Sequence, residues 1–319
     1  MKIIVLDGFT LNPGDISWAG LEDLGEVTVY DRTPEELTVE RIGDADAIFT
    51  NKTVISRDIL EQCPDLRFIG VLATGYNVVD IDAAKVKGIP VCNVPTYGTM
   101  SVAQFATALL LELCHQVGRH SQSARSGQWA KGEDWCYWLN PLFELHGKNL
   151  GIIGFGRIGQ AFGRIGQALG MNIIAHDSYR DKNLESDRLR YADLNELYAE
   201  ADVISLHCPL FADNVGMINT AAISRMKPGV FLINTSRGPL INEQDLADAL
   251  NQDRIAGAGL DVLSSEPPAA DNPLLTAKNC IVTPHIAWAA REPRMRIMAT
   301  AVENLRAFIG GKAQNVVNA

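Results

Sequence analysis

The sequence lacks three features that would place the protein on a membrane, on nucleic acid or outside the cell. No apolar run reaches the ~18–20 residues that a membrane span needs. Basic residues are outnumbered, with 28 Lys and Arg against 38 Asp and Glu and a formal charge of −10, which argues against general nucleic-acid binding. The N-terminus lacks the apolar region and cleavage site of a signal peptide. We expect a cytoplasmic protein that binds neither membranes nor nucleic acid.

Paired cysteines are also missing. The six cysteines are scattered and form no C-x-x-C motif. In a long chain without a signal peptide, this distribution indicates reduced thiols that mostly fill the core. We therefore predict no metal site.

Aromatic residues make up only 7% of the chain, but four of them are concentrated in one irregular segment. Residues 126–142 contain Trp129, Trp135, Tyr137 and Trp138. Such a cluster is typical of either an interface or a satellite core. We favour a subunit interface.

The first hundred residues have no G-x-G-x-x-G motif, but they alternate short apolar strands with helical stretches. This alternation predicts an α/β fold with a parallel sheet, and 319 residues suffice for two domains. The predicted strands are Lys2–Asp7, Glu26–Tyr30, Ala47–Thr50, Phe68–Ala73 and Pro90–Asn93. A long helix, predicted for residues 101–118 with Ser101 as its N-cap, follows them.

The second half contains the glycine motif. Gly154, Gly156 and Gly159 follow a buried strand and open a helix, and the next strand ends in Asp177. In dinucleotide-binding folds these glycines allow a tight turn, close approach to a pyrophosphate and close helix packing. An acid about 20 residues further on binds the ribose. The order of these elements predicts a dinucleotide site.

The later predicted strands end in residues that could carry chemistry. These ends lie on one edge of a parallel sheet, where ligands bind. His207 and His285 both lie at strand exits, so either could act as the acid or base. Arg237 could enter a cleft or form a surface salt bridge, and Glu266 could be merely solvated. The loop at Thr74 and Gly75 could bind an anion or be an ordinary turn.

A family resemblance decides between these alternatives. The chain resembles the D-isomer-specific 2-hydroxyacid dehydrogenases over essentially its whole length. The blocks that carry the resemblance are 151–159, 207–210, 234–238, 259–267 and 283–285. The resemblance implies a catalytic trio of Arg237, Glu266 and His285. His285 would exchange a proton with the substrate oxygen, Glu266 would orient His285, and Arg237 would bind the substrate carboxylate.

The resemblance also implies an NAD site and a substrate loop. Asp177 would favour NAD over NADP because its charge repels a 2′-phosphate, although Arg180 lies nearby. The substrate would contact Thr74, Gly75, Tyr76, Arg237 and His285. The implied cofactor residues are Thr74, Gly154, Gly156, Arg157, Ile158, Gly159, Asp177, His207, Pro209, Thr235, Ser236, Arg237, Asp261, His285, Ala287 and Trp288.

The expected architecture consists of two Rossmann-like domains with an interdomain cleft. Residues 1–99 plus 291–319 would form a flavodoxin-like substrate domain, and residues 100–290 would form the NAD-binding domain. Family members form dimers, and a homodimer is expected here. The blocks at 71–80 and 284–288, including Trp288, look like those of glycerate dehydrogenases, also called hydroxypyruvate reductases. Hydroxypyruvate and D-glycerate are therefore the expected substrate pair, with glyoxylate as a second substrate. Pyruvate, phosphohydroxypyruvate and a non-enzymatic NAD-sensing scaffold are the alternatives.

Overall fold

The computed structural model describes residues 1–319, which divide into two compact units. Unit 1 comprises Met1–Gly98 and Trp288–Ala319, and unit 2 comprises Thr99–Ala287. None of the helices is both long and apolar enough to cross a lipid bilayer.

Unit 1 is built on a five-stranded parallel sheet with the strand order β2-β1-β3-β4-β5. This is the order of flavodoxin-like folds. Apolar side chains that alternate along the strands form one core on each face of the sheet, with Ile4 on one face and Ile3 on the other. The elements are β1 (Lys2–Val5), α1 (Ala19–Glu22), β2 (Glu26–Val29), α2 (Thr38–Ile42), β3 (Ala47–Thr50), α3 (Arg57–Gln62), β4 (Phe68–Val71), α4 (Ile81–Val86) and β5 (Val91–Cys92).

Unit 2 contains a seven-stranded parallel sheet with the order β12-β11-β10-β9-β6-β7-β8. Six of these strands, β6 to β11, have the Rossmann order, in which the strand sequence reverses beside β6. The elements are α5 (Thr99–His115), α6 (Val117–Arg125), β6 (Asn149–Ile153), α7 (Arg157–Ala168), β7 (Asn172–His176), β8 (Leu189–Tyr191), α8 (Leu194–Glu200), β9 (Val203–Leu206), α9 (Thr220–Arg225), β10 (Val230–Asn234), α10 (Glu243–Asn251), β11 (Ile255–Leu260) and β12 (Cys280–Val282).

The C-terminal helix α11 (Arg291–Ile309) belongs to unit 1. Its buried face includes Ile297, Ala301 and Leu305, which pack in the same core as Ile3. Pro293 lies in the first turn of α11, where its missing N–H costs no helical hydrogen bond. The predicted α/β fold with two parallel-sheet domains is confirmed.

Two local predictions are wrong. Ser101 is not an N-cap, because α5 already begins at Thr99 and Ser101 lies inside its first turn. The predicted helix 101–118 is also interrupted, because Gln116 adopts a left-handed φ of 47° between α5 and α6. The second helix therefore starts anew at Val117 and extends to Arg125.

Candidate active site

The glycine turn joins β6 to α7 through close backbone contacts. Gly154 has a φ of +91°, and a Cβ at this position would lie 2.3 Å from the backbone nitrogen of Cys208. A Cβ on Gly159 would lie 2.2 Å from the carbonyl oxygen of Gly154, so α7 packs directly on the turn. Only glycine satisfies both constraints, as a dinucleotide turn requires.

The start of α7 fits a phosphate group. Gly156 is the N-cap, no side chain caps the helix, and a Cβ at Gly156 would have no atom within 4 Å. The first N–H groups of a helix have no partner within it and favour anions. Arg157 and Ile158 supply two of these N–H groups. The residues present therefore fit the pyrophosphate of a dinucleotide.

The neighbouring strand ends offer further polar groups. Asp177 follows β7, and its carboxylate accepts hydrogen bonds from Phe155 N at 2.6 Å and Tyr179 N at 3.0 Å. These contacts hold the acid beside the glycine turn. Thr235 follows β10, and its Oγ1 is buried without any hydrogen-bond partner. A buried hydroxyl without a partner costs free energy, which a bound ligand would recover.

His207 and Ser236 lie next to the segment Cys208–Pro209 that follows β9. Ser236 Oγ donates to Cys208 O at 2.5 Å, and His207 Nε2 lies 2.9 Å from Ser205 Oγ. Burial lowers the pKa of His207 from 6.5 to about 4. The imidazole is therefore neutral near pH 7 and lacks the acidic imidazolium proton that a carbonyl reduction would consume. Its burial argues against His207 as the acid that reduces a carbonyl.

His285 has the carboxylate partner that His207 lacks. Its Nδ1 lies 2.6 Å from Oε2 of Glu266, and both side chains remain partly exposed. The carboxylate can only accept, so Nδ1 carries a proton and Nε2 is the nitrogen that can exchange one. Glu266 Oε1 in turn accepts from Leu263 N at 3.2 Å. This is the geometry of an imidazole held for acid–base chemistry.

Asp261 holds the chain on either side of His285. It is 1% exposed, and its carboxylate accepts from Thr283 Oγ1 at 2.6 Å, Ile286 N at 2.9 Å and Ala287 N at 2.8 Å. Burial raises the pKa of Asp261 above its ordinary value, and these hydrogen bonds offset only part of that increase. In this structure Asp261 positions the His285 segment, and its predicted contact with the cofactor stays a prediction.

Arg237 is exposed at the end of β10 and pairs with no carboxylate. Its Nη1 donates only to the carbonyl oxygen of Ser236, at 2.8 Å. The alternative of a surface salt bridge is therefore absent. A guanidinium without a counterion can bind a carboxylate through two parallel hydrogen bonds.

The remaining predicted residues belong to unit 1. Thr74, Gly75 and Tyr76 are exposed in the loop after β4, where Thr74 Oγ1 donates to Val94 O at 2.7 Å. Trp288 packs edge-on against Tyr97, with ring centroids 6.4 Å apart. The roles of these four predicted residues in ligand binding stay predictions.

Sequence reasoning missed two side chains of the site. Thr283 binds Asp261, and Ser101 Oγ donates to Ala287 O at 2.8 Å. The motif Thr283-Pro284-His285 contained a signal for Thr283, because it lies two residues before the histidine. Ser101 had no signal, because its partner is 186 residues away in the chain.

Comparison with known proteins identifies the family. The family described as "D-isomer specific 2-hydroxyacid dehydrogenase, NAD binding domain" matches residues 107–287. A hydroxypyruvate reductase of Blautia hydrogenotrophica is 60% identical over the full length of both chains. A glycerate dehydrogenase of Methylorubrum extorquens is 40% identical over 90% of each chain. A crystal structure of D-lactate dehydrogenase with NAD+ from Lactobacillus jensenii has a TM-score of 0.82 and 28% identity over 99% of each chain.

These matches confirm the predicted family and the predicted cofactor. The matched NAD-binding domain includes the glycine turn, the Thr235 hydroxyl and the His285–Glu266 pair. The chain belongs to the D-isomer-specific 2-hydroxyacid dehydrogenase family and is an NAD-dependent oxidoreductase.

Proposed function

We propose that the protein reduces hydroxypyruvate to D-glycerate with NADH and catalyses the reverse reaction. The observation that carries this substrate assignment is the 60% identity, over both full chains, with the hydroxypyruvate reductase of Blautia hydrogenotrophica. The His285–Glu266 pair and the unpaired Arg237 support the reaction class. Glyoxylate is a second proposed substrate, and glyoxylate reductases are also among the relatives.

His285 is the proposed proton donor. When bound, NADH supplies the hydride that adds to C2 of the 2-oxo acid. The protonated imidazole gives its Nε2 proton to the substrate oxygen, so that the carbonyl becomes an alcohol and the imidazole becomes neutral. Glu266 fixes the orientation of the imidazole through Nδ1. Oxidation of D-glycerate uses neutral His285 as the base.

Arg237 is the proposed anchor for the substrate carboxylate. The guanidinium would bind the carboxylate with two charge-assisted hydrogen bonds and polarise the neighbouring carbonyl. Because Arg237 is exposed and forms no ion pair, no carboxylate must be displaced from the guanidinium. Lysine at this position would offer the charge without the planar fork.

The loop after β4 is the proposed second anion contact. The N–H groups of Gly75, Tyr76 and Asn77 donate to no acceptor in the chain, and a Cβ on Gly75 would meet only Asn77 Oδ1, at 3.6 Å. Successive N–H groups in a turn can converge on an anion, and these three groups are available to one. Thr74 is fixed from both sides, since Asn93 Nδ2 also donates to its carbonyl oxygen at 2.7 Å.

A substrate panel tests this assignment. NADH and NADPH oxidation would be followed with hydroxypyruvate, glyoxylate, pyruvate and phosphohydroxypyruvate, using His285→Ala and Arg237→Ala as control variants. We expect the highest kcat/KM for hydroxypyruvate with NADH. A preference for pyruvate would overturn the substrate assignment alone, whereas wild-type rates in His285→Ala would overturn the proton donor.

We also propose that the protein is a cytoplasmic homodimer. Trp129, Trp135 and Trp138 are 54%, 86% and 66% exposed in a segment that is tied to α6 by hydrogen bonds. Three exposed tryptophans on an ordered segment favour burial against a second copy. The six cysteines are all unpaired, as expected of a reducing compartment.

A further inference from the structure

We infer that Thr283 and Ser101 are positioning residues that set the catalytic orientation of His285. This inference rests on the proposed function, because it takes His285 to be the proton donor. Neither residue belongs to the predicted site. Together with Asp261 they form a clasp, here defined as the side chains of Ser101, Asp261 and Thr283, which holds residues 283–287.

The clasp holds His285 in a strained backbone conformation. His285 has a φ of +53°, a left-handed conformation that is disfavoured for a residue with a Cβ. Its N–H donates to Asp261 O at 2.8 Å and to Thr283 O at 2.9 Å. Such a conformation persists only where its surroundings over-determine it. The segment therefore needs contacts that keep His285 from relaxing into an ordinary backbone region.

Thr283 aims the Asp261 carboxylate. The Thr283 hydroxyl donates to Oδ1 of Asp261 at 2.6 Å, and this same oxygen accepts from Ile286 N at 2.9 Å. Without the hydroxyl, the nearly buried carboxylate loses a partner on the N-terminal side of His285. The hydroxyl thus ties the residues before and after His285 to one anion.

Ser101 holds the same segment from the opposite direction. Its hydroxyl donates to the carbonyl oxygen of Ala287 at 2.8 Å, while the Ala287 N–H donates to Oδ2 of Asp261 at 2.8 Å. Both polar groups of Ala287 are therefore fixed, one by α5 and one by the strand end after β11. Ala287 is only 3% exposed, so water cannot replace these hydrogen-bond partners if they are lost.

Loss of the clasp would change the position of the His285 imidazole. The Nδ1–Oε2 distance of 2.6 Å leaves little freedom, so a small rotation of the His285 backbone would break the contact with Glu266. A displacement of about 1 Å at a reacting group can lower the rate by as much as ~100-fold. The clasp should accordingly affect kcat more than the binding of cofactor or substrate.

The test compares Thr283→Val, which keeps the shape and removes the hydroxyl, with Thr283→Ser, which restores the hydroxyl. Ser101→Ala probes the other side of the clasp, and the exposed Thr276→Val and Ser224→Ala are matched controls in unit 2. We expect Thr283→Val to lower kcat on hydroxypyruvate by about tenfold or more, with KM and the Kd of NADH within about twofold of wild type. Thr283→Ser should restore kcat to within about twofold, and Ser101→Ala should lower it by about threefold or more.

A second readout does not need turnover. The proton on His285 Nδ1 would be followed by NMR of histidine-labelled protein and assigned by its loss in His285→Gln. We expect its downfield signal in wild type and in Thr283→Ser but not in Thr283→Val. An unchanged kcat and signal in Thr283→Val, or a loss confined to NADH affinity, would overturn the inference. Absence of hydroxypyruvate turnover in the wild type would refute the proposed function, while the NMR comparison would still decide the role of the clasp.

Discussion

His207 provides a quantitative prediction about stability. Its ring packs 5.3 Å from the ring of Phe162, its Nε2 contacts Ser205, and burial lowers its pKa from 6.5 to about 4. The difference of about 2.5 pKa units between unfolded and folded chains is equivalent to about 3 kcal/mol. The folded state prefers the neutral imidazole. Between pH 6.5 and pH 4 the unfolded chain therefore binds more protons, and stability falls as the pH falls.

The contribution can be isolated with His207→Gln, which cannot be protonated in this range. Relative to this variant, wild type should lose about 2 kcal/mol of unfolding free energy between pH 7 and pH 5, and about 3 kcal/mol by pH 4. Urea unfolding without cofactor, monitored by tryptophan fluorescence at each pH, measures this difference. The exposed His115 gives the control variant His115→Gln. Parallel pH curves for wild type and His207→Gln would refute the claim that burial keeps His207 neutral.

Six further substitutions, at five positions, test the site and the subunit contact. Arg237→Ala should lower kcat/KM for hydroxypyruvate roughly a hundredfold, as two charge-assisted hydrogen bonds are lost, and Arg237→Lys should restore only part of it in steady-state assays. Asp177→Ser should raise the NADPH/NADH ratio of kcat/KM by about tenfold or more, and an unchanged ratio would contradict the assigned role. Gly156→Ala should keep the wild-type Tm but weaken NADH binding in titrations, since its Cβ enters open space, whereas Gly154→Ala should lower the Tm as well because of its backbone contact. Trp135→Ser should shift the mass from dimer to monomer in light scattering, and an unchanged dimer would place the interface elsewhere.

The glycine turn was predictable because its constraints are local. Gly154, Gly156 and Gly159 lie within six residues of one another. Gly154 and Gly159 have steric reasons within the chain to lack a Cβ, whereas Gly156 faces open space where a pyrophosphate would approach. The alternation of strands and helices is likewise a local pattern, so both parallel sheets were predicted. Strand β8 was missed because it has only three residues and all are partly buried, which gives neither an apolar run nor clear alternation.

The choice between the two strand-end histidines needed information that local sequence does not contain. His207 and His285 occupy similar positions in the pattern, and only packing distinguishes their chemistry. Burial makes His207 neutral, whereas His285 contacts a carboxylate that is 19 residues away in the chain. The family resemblance predicted His285, and the folded structure supports that prediction with the Glu266 contact. Neither the local sequence nor the family resemblance indicated the contact of Ser101 with Ala287.

The most direct test of the central claim is the chirality of the product. Wild-type protein would be incubated with hydroxypyruvate and NADH, and the glycerate formed would be resolved by chiral chromatography, with His285→Ala as the control. We expect D-glycerate in amounts equal to the NADH consumed, and none above background from His285→Ala. L-glycerate, or equal D-glycerate from the variant, would contradict the central claim.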